Sequence, residues 1–160
     1  MRIAIYPGTF DPITNGHLDI LKRSLKLFDK IILAVAKNGE KGTLFPLKER
    51  VEMVKDATES LERIEVDSFD CLLVEYAKKK RASVIIRGIR AYSDFEYEFQ
   101  MALMNRRLHP EIETVFLMPT EQYSYLSSSL IKEIVSLGGE MGELVPGAVQ
   151  KKLKGKFRTL

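Results

Sequence analysis

The sequence has a single cysteine and no long hydrophobic run. Cys71 has no partner within the chain, so an internal disulfide and a cysteine-based zinc cluster are both excluded. Because neither histidine lies near it in sequence, we expect Cys71 to be a small buried hydrophobic side chain. The longest uncharged apolar runs have the length of strands, and Met1 leads into one of them without the pattern of a secretion signal. We therefore expect a cytoplasmic protein that is neither exported nor associated with a membrane.

The chain also has little excess charge of either sign. Lysine and arginine number 25 against 22 acidic residues, which leaves a formal net charge of +3. The one basic cluster, residues 78–81, falls at the end of a predicted helix, where cations complement the helix dipole. We interpret the cluster as a solvated helix end and expect no nucleic-acid partner.

Length and composition predict one folded domain over residues 1–160. Apolar residues make up 45% of the chain and charged residues 29%, as in ordinary globular proteins. No repeat or low-complexity tract interrupts the sequence. The stretch at residues 38–45 is the one loop rich in glycine and lysine.

Short β-branched runs alternate with segments of helical periodicity along the whole chain. The runs predict strands at residues 2–6, 30–36, 63–69, 82–88 and 113–119. The periodic segments predict helices at residues 18–28, 51–61, 72–80, 94–108, 128–138 and 145–155. This alternation predicts an α/β fold, a Rossmann-like doubly wound five-stranded parallel sheet with helices on both faces and C-terminal helices. Ligands of such folds bind beyond the carboxyl ends of the strands, where the strand order reverses.

The segment after the first strand, PGTFDPITNGH, is rich in small and turn-forming residues. It lacks the three glycines of a dinucleotide fingerprint and the Gly-Lys-Ser/Thr of a Walker A loop, so neither of these two ways of binding a nucleotide is predicted. Gly8 lets the backbone approach a ligand, and a helix beginning near Asn15 offers unpaired amides and a partial positive charge. Gly16 leaves room for His17 to face an anion held at the same helix start. The segment therefore predicts a phosphate site that includes His17.

Three further loops at the same edge of the sheet carry groups suited to phosphate. Arg87 and Arg90 flank Gly88 after the fourth strand and can fork onto phosphate oxygens. The serines at 127–129 open the helix after the fifth strand, and Lys41 adds a cation after the second. Together the four loops predict a polyphosphate substrate. No cysteine nucleophile with a partner, metal-ligand cluster or Ser-His-Asp set is evident, which disfavours covalent catalysis and protein-bound zinc.

Lys132 and Glu133 follow the three serines in the same predicted helix. Both could contact a phosphate from that position. We interpret both as solvated surface, which is the commoner role of charged residues on a helix.

These motifs resemble those of one nucleotidyltransferase family. The tetrapeptide TNGH that ends at His17 is similar to the T/HxGH signature of the superfamily. IIRGIRAYSDFEYE, together with YSYLSSSLIKE, closely resembles the bacterial phosphopantetheine adenylyltransferases. The resemblance spans nearly the whole chain, from residue 2 to residue 153, and the combination of motifs is specific to that family.

The resemblance implies the penultimate reaction of coenzyme A synthesis. ATP would give its adenylyl group to 4′-phosphopantetheine, yielding dephospho-coenzyme A and pyrophosphate by direct in-line attack, without a covalent enzyme intermediate. The resemblance also implies Mg²⁺ as a cofactor with no ligand from the protein, coenzyme A as a candidate feedback ligand, and a homohexameric assembly.

Residue roles follow from the same resemblance. His17 corresponds to the transition-state stabiliser, and Thr9 to a residue that contacts both nucleotide and acceptor. Acceptor binding is implied for Thr9, Lys41, Leu73 and Arg87. ATP binding is implied for Thr9, Phe10, His17, Gly88, Ile89, Arg90, Glu98, Tyr123, Ser124, Tyr125, Leu126, Ser127, Ser128 and Ser129.

Three other interpretations compete with this one. An adenylyl- or cytidylyltransferase acting on another phosphorylated acceptor would use the same loops. A nucleotide-sensing module without activity would keep the phosphate loops but would not need His17. An RNA-binding regulator would need more positive charge and aromatic residues interleaved with basic ones. The position of His17 at a helix start favours an enzyme.

Overall fold

Five parallel strands form one sheet in the computed structural model, which describes residues 1–37, 42–90 and 92–158. The strands are β1 (Ile3–Gly8), β2 (Lys30–Ala36), β3 (Ile64–Phe69), β4 (Val84–Gly88) and β5 (Glu113–Leu117). Their order across the sheet is β3-β2-β1-β4-β5, and every neighbouring pair is parallel. The predicted five-stranded parallel sheet is confirmed, and its order reverses between β1 and β4.

The six predicted helices are all present, with somewhat different bounds. They are α1 (Asn15–Ser24), α2 (Leu47–Thr58), α3 (Leu73–Lys79), α4 (Tyr92–Leu108), α5 (Ser128–Ser136) and α6 (Gly147–Arg158). Short 3₁₀ turns cover Glu121–Tyr123 and Gly142–Leu144. Of the helices in the described part of the chain, none has both the length and the apolar character needed to cross a bilayer.

Alternating side chains along the strands fill two cores on opposite faces of the sheet. In β2, Ile31, Leu33 and Val35 pack on one face, where α1, α2, α5 and α6 also contribute buried side chains. Ile32 and Ala34 pack on the other face with side chains of α3. The strands are therefore apolar on both sides, which confirms that helices cover both faces.

The first strand is longer than predicted, because it includes Pro7 and Gly8. Its pairing with β4 covers only Ala4 and Ile5, so the two strands separate toward their carboxyl ends. Proline has no N–H to donate and is tolerated where such a ladder ends. The separation opens the edge of the sheet at the point where the strand order reverses.

The predicted burial of Cys71 is wrong, since this cysteine is exposed. It lies between Phe69, the last residue of the edge strand β3, and Leu73, the first residue of α3. Connections at strand ends run over the surface, and this placement outweighs the general tendency of cysteine to be buried.

The basic cluster at residues 78–81 is exposed as predicted except at Lys80, where the interpretation as a solvated residue is wrong. Lys80 is half-buried, and its Nζ lies 2.8 Å from Oε1 of Glu65 and 2.6 Å from Oδ2 of Asp67, both on β3. Lys30 of β2 pairs with the same glutamate at 2.6 Å. Lys80 thus joins the end of α3 to the sheet.

Candidate active site

A cavity of about 440 Å³ opens between β1 and β4 at the carboxyl edge of the sheet. Its volume lies within the range of small-molecule sites. Five segments line it: the end of β1 with the following loop, the start of α1, residues 42–43 after β2, the end of β4 with α4, and the start of α5 with the loop before it. The predicted site residues among its lining are Thr9, Phe10, His17, Arg87, Gly88, Arg90, Glu98, Tyr123, Leu126, Ser128 and Ser129.

Some predicted site residues do not line this cavity. They are Leu73, Ile89, Ser124, Tyr125 and Ser127, whereas Lys41 lies outside the described residues. The main-chain N–H of Ile89 donates to the carbonyl of Leu117 (3.0 Å), which joins the ends of β4 and β5. Leu73 packs against the core on the α3 face. These two residues support neighbouring elements of the fold.

His17 takes part in a reciprocal cap at the start of α1. Its main-chain N–H donates to Oγ1 of Thr14 (3.3 Å), and the main-chain N–H of Thr14 donates to its Nδ1 (3.1 Å). A glutamate or glutamine usually accepts this second bond, and here the imidazole does so. Because Nδ1 is the acceptor, the neutral ring carries its proton on Nε2. His17 therefore offers an Nε2–H donor to a ligand in the cavity.

The surroundings of His17 keep its ring uncharged. Burial lowers the pKa of His17 to about 3, and the positive charges of Arg90 and Arg87 act in the same direction. The ring of Phe10 meets the imidazole at a steep angle, with the two centroids 5.1 Å apart. At neutral pH the side chain is a fixed hydrogen-bond donor and not a general acid.

Nuclear magnetic resonance can test this charge state, because the chain has only two histidines. Hydrogen bonds that the His109 ring donates to the carboxylates of Glu75 and Glu111 raise its pKa, so its ring resonances should titrate at higher pH than those of an ordinary histidine. The resonances of His17 should not titrate between about pH 5 and pH 8. Titration of both histidines in this interval would contradict the neutral state of His17.

Arg87 reaches the cavity from the end of β4 and is held by Glu98 of α4. Its Nε donates to Oε2 of Glu98 at 2.7 Å and its Nη2 to Oε1, so the contact is bidentate. Nη1 donates to the carbonyl of Pro7 (3.4 Å). Burial alone would lower the pKa of Arg87, but the hydrogen bonds and charge of Glu98 raise it above its usual value. A guanidinium has five N–H bonds, so Arg87 can keep these contacts and still donate to a phosphate.

Arg90 and two serines organise the other side of the cavity. Nη1 of Arg90 donates to the carbonyl of Leu126 (2.9 Å), which ties the end of β4 to the loop before α5. The hydroxyl of Ser127 caps α5 by accepting a main-chain N–H at 3.0 Å. The hydroxyl of Ser128 donates to the carbonyl of Pro12 (2.7 Å). Two of the three serine hydroxyls therefore shape the helix start whose partial positive charge an anion would meet.

Asp11 is a buried residue of the cavity that sequence analysis did not single out. Its carboxylate accepts the main-chain N–H groups of Leu44 (2.8 Å) and Phe45 (2.9 Å). It also accepts Nζ of Lys132 at 2.8 Å. Asp11 stands within a segment that the sequence marked as a phosphate loop, but nothing in that pattern distinguishes it from the other turn-forming residues.

Lys132 is half-buried and lines the cavity, so its interpretation as solvated surface is wrong. It lies four residues after Ser128 and three after Ser129, on the same face of α5. In the sequence, that spacing is the signal that could have predicted Lys132 to face the cavity. Glu133, one position further, is exposed as predicted. Tyr6, Ile20, Thr43 and Pro119 also line the cavity without having been predicted.

The cavity lies where the strand order of a doubly wound sheet reverses, and a helix start and two arginines suited to phosphate surround it. This arrangement is that of a nucleotidyltransferase. In agreement, a cytidylyltransferase-like family model matches residues 5–134, a span that contains every lining residue of the cavity.

Curated proteins of similar sequence show which family of nucleotidyltransferases the chain belongs to. The chain is 57% identical over 158 residues to the phosphopantetheine adenylyltransferase of Caldanaerobacter subterraneus subsp. tengcongensis, covering 99% of each chain. It is 58% identical over 157 residues to that of Geotalea daltonii, covering 98% of each. The enzyme of the same name from Moorella thermoacetica is 51% identical over 160 residues and the full length of both chains. The chain belongs to the phosphopantetheine adenylyltransferase family.

Proposed function

We propose that this protein transfers the adenylyl group of ATP to 4′-phosphopantetheine, forming dephospho-coenzyme A and releasing pyrophosphate. The observation that carries the proposal is a neutral His17 at the start of α1 that lines one cavity with Arg87 of β4 and Arg90, two residues after β4. Family membership supports the choice of reaction, since the relatives carry the name of this activity.

The acceptor supplies the nucleophile for this reaction. A phosphate monoester has a second pKa near 6 and is largely deprotonated at neutral pH, so no base on the protein is needed. Its oxygen forms the new bond to the α-phosphorus while the bond from that phosphorus to pyrophosphate breaks. The transfer is direct and in line, so catalysis depends on bringing two anions together and stabilising charge on the phosphoryl oxygens. The proposed role of the Nε2–H of His17 is to donate to such an oxygen.

The proposed binding roles divide the cavity between the two substrates. Arg87 and Lys41 bind the acceptor phosphate, Leu73 contacts the pantetheine arm, and Thr9 contacts both substrates. ATP is held by Phe10, His17, Gly88, Ile89, Arg90, Glu98 and the segment Tyr123, Ser124, Tyr125, Leu126, Ser127, Ser128 and Ser129. Residues of this set outside the cavity lining would act through main-chain groups or after ligand binding.

Mg²⁺ is the proposed cofactor, and the donors of the cavity suit an ion that arrives with the nucleotide. Of the carboxylates that line the cavity, Asp11 is bonded to two main-chain N–H groups and Lys132, and Glu98 to Arg87. Among the described residues no group of three or more histidine, cysteine or acidic side chains is placed to hold a metal. Mg²⁺ bound mainly to phosphate oxygens would neutralise their charge.

The protein is also proposed to form a homohexamer in the cytoplasm, with helix α4 at an interface between copies. A helix that exposes many large apolar side chains is typical of a protein contact surface. Large apolar side chains of α4 are 41–63% exposed: Phe95, Tyr97, Phe99, Met101, Leu103, Met104 and Leu108.

Coenzyme A, which contains the pantetheine phosphate of the acceptor, is the candidate feedback ligand of the active-site cavity.

Sedimentation velocity tests the assembly. The unmodified protein should sediment as a hexamer, and Met104→Glu, which places a charge in the apolar surface of α4, should yield smaller species. Leu27→Glu, at an exposed apolar position outside α4, is the matched control and should leave the assembly intact. A monomer at micromolar concentration would contradict the proposed assembly.

The activity is tested by mixing the purified protein with ATP, Mg²⁺ and 4′-phosphopantetheine and following dephospho-coenzyme A by mass spectrometry. Parallel reactions replace the acceptor with nicotinamide mononucleotide or glycerol 3-phosphate, and ATP with CTP. Product should form from ATP and phosphopantetheine at a rate well above every other pair. A faster reaction with another pair would assign the protein to a different acceptor or nucleotide.

A further inference from the structure

Arg50 is a fully buried arginine on the first turn of α2 whose hydrogen bonds reach three different segments. Its Nε donates to the carbonyl of Phe45 (3.1 Å), and its Nη1 to the carbonyls of Thr9 (2.8 Å) and Ala36 (2.9 Å). These carbonyls belong to the loop after β1, the end of β2 and the residues just before α2. A buried cation is costly, so packing alone does not account for an arginine at this position.

Asp11 holds the same region from the opposite side. The carboxylate accepts the main-chain N–H groups of Leu44 and Phe45, as described above, and its side chain is only 4% exposed. The peptide groups of Phe45 are therefore bonded at the N–H by Asp11 and at the carbonyl by Arg50. In consequence, residues 9 and 11 of the β1–α1 loop are both tied to the residues that precede α2.

Phe10 lies between these two ties and has an unusual backbone conformation. Its φ of +48° is in the left-handed region, which a non-glycine residue keeps only when the surrounding structure enforces it. The ring packs beneath Gly8, where an added Cβ would lie 2.9 Å from Cζ of Phe10. The same ring contacts the imidazole of His17. The position of Phe10 thus controls both the main chain next to Thr9 and the orientation of His17.

We propose that Arg50, together with Asp11, is a positioning residue for the transfer reaction. Arg50 fixes the carbonyl of Thr9, and Asp11 fixes the other end of the segment formed by residues 9–11. Together they hold Thr9, Phe10 and His17 in place before the substrates bind. Arg50 acts through these residues without touching either substrate. This inference rests on the proposed function, because it takes Thr9 and His17 as the groups that meet the phosphates.

Arg50→Lys tests the inference, because lysine keeps the positive charge but cannot span all three carbonyls in the same geometry. We expect kcat to fall by about 10- to 100-fold, since a displacement of about 1 Å at the reacting groups can cost that much. The dissociation constant for ATP should change by less than about threefold, because an interaction needed mainly in the transition state lowers kcat with little effect on ground-state binding. In the free variant the His17 ring resonances should shift while those of His109 stay in place.

Thr58→Ala is the matched control from the same helix. Thr58 is 5% exposed, and its hydroxyl bonds to carbonyls within α2, far in sequence from the cavity loops. This variant should lower Tm but leave kcat and the His17 resonances unchanged. All kinetic measurements are made well below the Tm of each variant, so that a loss of kcat does not report unfolding.

A folded Arg50→Lys protein with the kcat and His17 resonances of the unmodified chain would overturn the inference. If that variant does not fold, Asp11→Asn replaces it, and an unchanged kcat there would overturn the inference equally. Thr9→Ala separates this result from failure of the proposed function. If Thr9→Ala has unchanged kinetics, the phosphate site is misassigned. If Thr9→Ala lowers kcat while the Arg50 and Asp11 variants do not, only the positioning role is refuted.

Discussion

Replacing His17 by alanine is expected to lower kcat by about 10²- to 10³-fold while the protein stays folded. That range is the usual loss when one preorganised donor to transition-state charge is removed. The donor is the Nε2–H of a ring held neutral by burial and by two arginines, so its loss should affect the transition state more than ATP binding. Steady-state kinetics with both substrates varied would show a fall in kcat with little change in the KM for ATP.

The alanine variant also loses part of the helix cap, because Nδ1 of His17 accepts the main-chain N–H of Thr14. Loss of a cap costs about 1 kcal/mol of stability and could by itself displace the start of α1. His17→Gln is the control, since glutamine at this position can complete the cap. Its Tm should return toward that of the unmodified protein while kcat stays at least about tenfold low, given the different reach of its donor. Full recovery of kcat in this variant would show that the cap, and not the imidazole, is required.

The architecture was predictable because its main signals are local in sequence. The β2 bounds match the prediction, since the run from Ile31 to Ala36 is apolar throughout and three of its residues are β-branched. The end of β1 was not predictable, because Pro7 and Gly8 are typical of turns. They are accommodated in a strand only because β1 and β4 have already separated there. That separation is a property of the sheet and not of the local sequence.

The candidate site was predicted where a residue type and its position both point to phosphate, as at His17 and Arg87. It was missed where the function depends on a distant partner. Asp11 and Lys132 are 121 positions apart, and their pairing decides that the lysine faces the cavity. Gly8 was predicted for its close approach to a ligand, but in the structure the nearby ring of Phe10 also occupies the space that a Cβ would need. No single-position argument shows such contacts.

Arg87→Ala is expected to weaken both acceptor binding and the fold. A charged hydrogen bond contributes about 1.5–3 kcal/mol, so the KM for phosphopantetheine should rise by about 10- to 100-fold. The KM for ATP should change less, because most of the proposed contacts of ATP lie in the β1–α1 loop, on Arg90 and in residues 123–129. Removal of Arg87 also leaves the buried carboxylate of Glu98 without its partner, which typically lowers the free energy of unfolding by about 3–5 kcal/mol.

The double variant Arg87→Ala with Glu98→Gln separates these two effects. Neutralising Glu98 removes the unpaired buried charge, so urea unfolding should show a large part of the lost stability restored. The KM for phosphopantetheine should stay high, because no cation has been returned to the acceptor site. Arg106→Ala is the surface control: Arg106 also lies on α4, but its pair with Glu113 (2.7 Å) is exposed, so its loss should change stability by less than about 1 kcal/mol and leave both KM values alone. If the double variant recovered acceptor binding together with stability, Arg87 would serve the fold alone, and the acceptor phosphate would have to be bound elsewhere in the cavity.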